Sequence, residues 1–229
     1  MNSECFKVTV YHKISFMTTT PPMPPVPIDS LQTGDLLLFA SAPGQRSLMG
    51  LFDWVIRTAT HSSYTHVALV LRDPTFIAPT LKGLYIWESS WEGSPDPQDG
   101  KTKLGVQITP LHEMLRTFDG KVYVRKLLRG QDVLTDTTLQ SVHEVVYDKP
   151  YDVHVKDWVG AWLRKDAQPQ KTDRFWCSAL VAYFMVRFGF IDDTVDWSIV
   201  RPADLSSGSS YLTWREEACA YGEDALVGV

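Results

Sequence analysis

Apolar and polar positions along this chain change period several times, and each change predicts an element. An apolar run, LLLF, follows Gly34-Asp35 and reads as a turn feeding a short buried strand. Residues 47–59 carry Leu48, Leu51, Phe52, Val55 and Ile56 at helical spacing, which predicts an amphipathic helix. Two β-like runs follow, THVALVL at 65–71 and GLYIWES at 83–89, and the segment between them holds Pro74 and Pro79, so they read as an antiparallel pair. Thr109-Pro110 has the character of a helix start, KVYVRKL that of a strand, and residues 139–147 and 157–164 that of helices. The sharpest helical signal is CSALVAYFMVRF, where Leu180, Val181, Phe184 and Phe188 recur every three or four residues before Gly189 ends the run. RPADL reads as a last edge segment, and no pattern from Tyr211 onward predicts an element. This mixture of separate strand and helix patterns is that of an α+β fold, an antiparallel sheet or partial barrel packed against helices.

Composition narrows the picture. At 229 residues with 44% hydrophobic positions the chain suits one domain with a sizeable core. The proline-rich stretch TTTPPMPPVPID favours extended conformations, which makes residues 1–30 an arm and linker, 31–210 the domain and 211–229 a tail, with Met17 a second plausible start. A net charge of −5 without a Lys/Arg block excludes the clustered basic surface that nucleic acid requires. Cys5, Cys177 and Cys219 are too few and too scattered for a disulfide framework, and they form no Cys-x-x-Cys pair. The start lacks the apolar core and cleavage site of a secretory signal, and no apolar run reaches the roughly 18 residues that span a bilayer. The expectation is a cytoplasmic protein without an integral membrane segment.

Candidate chemistry centres on Cys177, which heads the most strongly patterned helix. The helix dipole there favours a thiolate, and the first N–H groups can bind the oxyanion formed when a carbonyl is attacked. The same position also suits a small buried apolar cysteine. A base must come from elsewhere, and His66, which opens a strand, can point from the end of the sheet toward a helix terminus. His61, His112, His143 and His154 fall in a loop or on amphipathic helices, where solvated roles are the default. If Val70 faces Leu84, the constant index sum of an antiparallel ladder puts His66 opposite Glu88, close enough for the carboxylate to hold one imidazole nitrogen while the other faces the thiol. That register is an assumption, and a slip of one residue would turn one of the pair away. A metal site would need a second ligand near His66, and the five-residue spacing to His61 does not supply one, so no metal or other cofactor is expected. Leu51, Trp54, Trp87 and Trp91 would suit an acyl chain or simply a core.

The order of these pieces, Gly34-Asp35 before an apolar strand, then THVALVL, IWES, KPYD, FWCSALV and RPADL, resembles the circularly permuted branch of the papain-like NlpC superfamily. That branch includes YiiX-like proteins and is related to the lecithin:retinol acyltransferase group, and in it histidine precedes cysteine. The resemblance spans residues 31–205. It implies a permuted papain-like fold with Cys177 as nucleophile, His66 as base and Glu88 as the group orienting it. It also makes Tyr151 of the KPYD stretch a candidate for oxyanion support or substrate contact, against the alternative of a buried tyrosine after a turn. A glutamate common in the family shortly after Cys-Ser is replaced here by Ala179-Leu180. The implied activity is cysteine-dependent hydrolysis of an amide or ester through an acyl-enzyme. Lipid acyl transfer, with peripheral membrane contact, and a non-catalytic binding module are the alternatives. The implied partner is a peptide, amide or acyl-lipid substrate.

Overall fold

The computed structural model describes residues 24–42, 63–77, 81–91, 93–152 and 172–228. The helices expected at 47–59 and 157–164, and with them Leu51, Trp54, His61 and His154, lie outside the described residues.

Seven strands form one sheet: β1 (Val26–Pro27), β2 (Leu36–Ser41), β3 (His66–Arg72), β4 (Leu84–Ser90), β5 (Gly105–Pro110), β6 (Gly120–Arg129) and β7 (Ala220–Gly228), in the spatial order β1-β7-β6-β2-β3-β4-β5. Every neighbouring pair is antiparallel except β1 with β7, which is parallel, so the sheet is mixed where an antiparallel one was expected. Three α-helices accompany it among the described residues: α1 (Leu111–Thr117), α2 (Asp136–Val146) and α3 (Cys177–Arg187). The molecule is α+β.

The turn into β2 depends on Gly34, whose φ of +96° only glycine adopts without strain. Asp35 behind it is fully buried; its carboxylate accepts from the backbone N–H groups of Gln32 (2.8 Å) and Leu127 (2.9 Å) and from Lys126 Nζ (2.6 Å), which ties β2 to β6. Alternation in β3 and β4 gives the sheet two apolar faces. Val67, Leu69 and Trp87 turn toward α3 in the larger core, where Trp87 and Phe184 have ring centroids 4.3 Å apart. Ala68, Val70 and Ile86 turn the other way, onto a smaller core closed by Leu111, Met114 and Leu115 of α1. Helix α3 is buried along residues 177–185, as its broad apolar pattern requires, and Gly189 with φ +72° follows its last turn.

Three elements differ from the pattern reading. The Gly105–Pro110 segment is a strand up to the residue before α1. RPADL forms a 3-10 helix, Pro202–Leu205, because Pro202 has its φ preset and the Asp204 carboxylate accepts from Arg201 N (2.8 Å) as a cap. Residues 220–228, for which no element was predicted, make a nine-residue strand between β6 and β1.

Candidate active site

Beyond β5 the sheet gains a small annex at the end where β3 begins. Gly105 bridges Pro150, and Tyr151 bridges Phe175, so the chain leading into α3 is laid against the sheet edge. Tyr151 N–H donates to Leu104 O (3.1 Å) and Phe175 N–H to Pro150 O (3.1 Å). From β4, Ser89 Oγ donates to Phe175 O (2.7 Å), and Ser178 Oγ donates to Val200 O (2.7 Å) just inside the helix. These bonds fix the backbone on both sides of Cys177.

Cys177 and His66 are each the first residue of their element, and they meet there although α3 packs on the opposite face of the sheet from the smaller core. The Cys177 thiol is buried and lies close enough to the His66 imidazole to act on its proton affinity. His66 Nε2 lies 2.7 Å from Glu88 Oε2, with the histidine side chain 13% exposed and the glutamate fully buried. Nδ1 is therefore the nitrogen left for the sulfur. The other carboxylate oxygen of Glu88 accepts from Thr109 Oγ1 at 2.5 Å. Burial by itself lowers the His66 pKa, but the charge and hydrogen bond of Cys177, joined by the hydrogen bond and charge of Glu88, outweigh it and hold the imidazole well above its usual value.

The β3–β4 register is not the one assumed from sequence. Val70 faces Ile86 and Arg72 faces Leu84, two residues along from the expected pairing. Continued to the strand ends, this ladder sets Ala68 opposite Glu88 and Ser90 opposite His66. A shift of two preserves the face, so His66 and Glu88 still meet, as a diagonal pair. Ser90, Gln107 and Thr109 are buried polar groups of the same face, with Gln107 Nε2 donating to Ser90 Oγ (2.8 Å) and Gln107 directly across from Glu88. Sequence reasoning missed them. The alternation Val106, Gln107, Ile108, Thr109 was the available signal, and polar positions in such a strand ordinarily face water.

The backbone of Tyr151 lies beside the residues leading to Cys177, and its ring packs in the larger core. The N-cap of α3 is Trp176, which has no side-chain acceptor for the first-turn N–H groups, so those donors are not taken by a cap. Of the aromatic residues considered for an acyl chain, Trp87 is fully buried, whereas Trp91 remains substantially exposed, as does Leu104, which follows it on the neighbouring strand's approach. His112 is exposed, and His143 packs against Trp87 and Tyr147 with its ring bonded to Gln98 (2.7 Å) and its pKa lowered by burial. Among the described residues no group of three or more His, Cys, Asp or Glu side chains is arranged to hold a metal ion, and no helix is long and apolar enough to cross a membrane.

Neither a protein-family model nor a curated protein matches the chain. Among solved structures it is similar to the metalloprotein YiiX from Escherichia coli O157:H7, at 24% identity and a TM-score of 0.42, over 68% of this chain and 64% of that one. The chain thus matches less than two thirds of that protein's length.

Proposed function

We propose that this protein is a cysteine-dependent hydrolase of amide or ester bonds, on a permuted papain-like fold, with Cys177 as nucleophile, His66 as general base and acid, and Glu88 as the residue that orients His66. The observation that carries this reading is the placing of the Cys177 thiol beside the His66 ring, which is itself hydrogen-bonded to the buried Glu88 carboxylate. A buried cysteine in a purely structural role has no use for a charged imidazole held by a buried acid.

In the first half-reaction the thiolate attacks the carbonyl carbon, the C–S bond forms and the carbonyl π electrons move onto oxygen. The N–H groups of the first turn of α3 receive that oxyanion, and the helix dipole adds to their field. The tetrahedral intermediate collapses, the bond to the amine or alcohol breaks, and His66 gives its proton to the leaving group. His66 then takes a proton from water as the water attacks the thioester, and the thiolate leaves. Tyr151 is a candidate for contact with the oxyanion or the acyl group. An acyltransferase would replace water with another acceptor. Exposed Trp91 and Leu104 beside the annex favour an apolar acyl group in either case. Peripheral membrane contact belongs to that acyltransferase alternative.

The test is acylation by p-nitrophenyl esters of increasing chain length and by peptide anilides, followed by intact-mass measurement. An adduct of one acyl group that disappears in Cys177→Ala, and that forms roughly 10²-fold or more slowly in His66→Ala, is expected. Absence of any adduct, with equal alkylation rates at Cys177 in wild type and His66→Ala, would refute the enzyme reading and favour a binding module.

A further inference from the structure

The fourth group in the hydrogen-bonded chain, Thr109, has no part in the mechanism above. It sits near the C-terminal end of β5, buried, two residues along from Gln107, which pairs directly with Glu88. Its hydroxyl has one proton and gives it to Glu88 Oε1. At 2.5 Å this is a short, direct hydroxyl-to-carboxylate hydrogen bond. Donation to Oε1 favours the ionised carboxylate over the acid, and an ionised Glu88 can only accept from His66 Nε2.

That arrangement decides which nitrogen of His66 carries its proton in the neutral ring. A Glu88 protonated on Oε2 would donate to Nε2, forcing the neutral ring to carry its proton on Nδ1. Nδ1 is the nitrogen turned toward Cys177, and protonated there the neutral ring could not accept the thiol proton. From the geometry we infer that Thr109 is a positioning residue that keeps Glu88 an acceptor at both oxygens and thereby holds neutral His66 in the tautomer with Nδ1 open to the Cys177 sulfur. The inference rests on the His66–Glu88 pairing of the proposed function but not on any hydrolytic activity. The titratable groups facing His66 are Glu88 from β4 and Cys177 from α3.

The experiment is ¹⁵N-edited NMR of the His66 ring in wild type, Thr109→Val, Thr109→Ala and Thr109→Ser, with Cys177 alkylation kinetics on the same samples. Losing one hydrogen bond to a charged acceptor changes an equilibrium by about 10-fold to 100-fold. Thr109→Val should therefore shift the neutral His66 ring toward the Nδ1–H tautomer by about 10-fold, read from its ¹⁵N shifts, and slow alkylation at neutral pH by about 10-fold. Thr109→Ser should return both to near the wild-type values. Thr109→Ala serves in place of Thr109→Val if the branched apolar side chain prevents folding. A neutral-ring tautomer ratio unchanged in Thr109→Val and Thr109→Ala overturns the inference, and so does a change that Thr109→Ser does not reverse. Failure of the proposed function would instead show as an unreactive wild-type Cys177, whatever His66 does in the Thr109 variants.

Discussion

Replacing Gly105 with alanine tests whether the annex positions Cys177. A Cβ at this residue would lie 2.3 Å from the Lys149 carbonyl oxygen and 2.9 Å from Pro150 Cα, where ordinary contact begins near 3.4 Å. The obstacle is backbone, so it cannot rotate away, and the strand of Pro150 and Tyr151 must retreat by roughly 1 Å. Two bonds are in the path of that movement: Val106 N–H to Lys149 O (2.8 Å) and Tyr151 N–H to Leu104 O (3.1 Å). Their weakening is worth about 1 kcal/mol each, and the φ of +153° adds about 1 kcal/mol or more of backbone strain. A loss of about 3 kcal/mol lowers Tm by roughly 6–12 °C in a chain of this size. Because Phe175 is bonded to the displaced strand, a shift on the order of 1 Å reaches the head of α3, and misplacement of that size costs roughly 100-fold in reactions that depend on alignment. The assays are calorimetry and the His66-dependent part of the Cys177 alkylation rate, taken well below Tm. Gly208→Ala, where a Cβ meets open space, is the control that should change neither. A Gly105→Ala variant with wild-type Tm and wild-type alkylation would refute the role assigned to the annex.

Four further outcomes follow from the same structure. His66 should hold its proton at pH values well above 6.5, so its contribution to stability is complete below the unfolded value near 6.5 and fades as pH rises through the higher native value. NMR titration should show the His66 midpoint falling in Cys177→Ala, since Cys177 supplies the largest influence raising it. Cys219 is buried, with its thiol pushed up to about 11 by burial, so limited alkylation at neutral pH followed by peptide mapping should modify Cys177 and leave Cys219 intact. Asp35→Ala leaves the Gln32 and Leu127 N–H groups without their acceptor while Lys126 Nζ keeps Ser30 O (2.7 Å), and chemical denaturation should show a loss of about 2–4 kcal/mol.

Helix α3 and strands β2, β3, β4 and β6 were legible because their apolar positions repeat with the period of the element and are buried accordingly. The pairing of His66 with Glu88 was legible for a subtler reason. Parity alone places two side chains on one face of a sheet, so an index error of two residues left the contact standing while changing its direct partners. Register itself was not legible, because the 73–83 connection sets it through Asp73, which has a φ of +46° and accepts from Gly83 N–H (2.8 Å). Thr109 and Gln107 were hidden because a polar position in an alternating strand carries no mark of whether it meets water or a buried carboxylate. Strand β7 was hidden because Glu223, Asp224 and two glycines dilute its pattern. Its place comes from partners far away in sequence: Arg125 stacks on Tyr221 and Trp214, and Tyr64 donates to Asp224 (2.9 Å).

The position of β7 inside the sheet constrains how the protein comes to be made. Its register with β1 matches Val26 to Val227, and with β6 it matches Tyr123 to Leu226. Strands β2 to β6 can therefore assemble on the ribosome, but the outer side of β6 stays unpaired until residue 228 has emerged. An open edge of that length is a template for pairing with another chain, and closure waits on contacts of very high sequence separation, which form slowly. Nascent-chain aggregation should thus peak after β6 is complete, and holdase chaperones would have their longest window on this protein between residues 129 and 220.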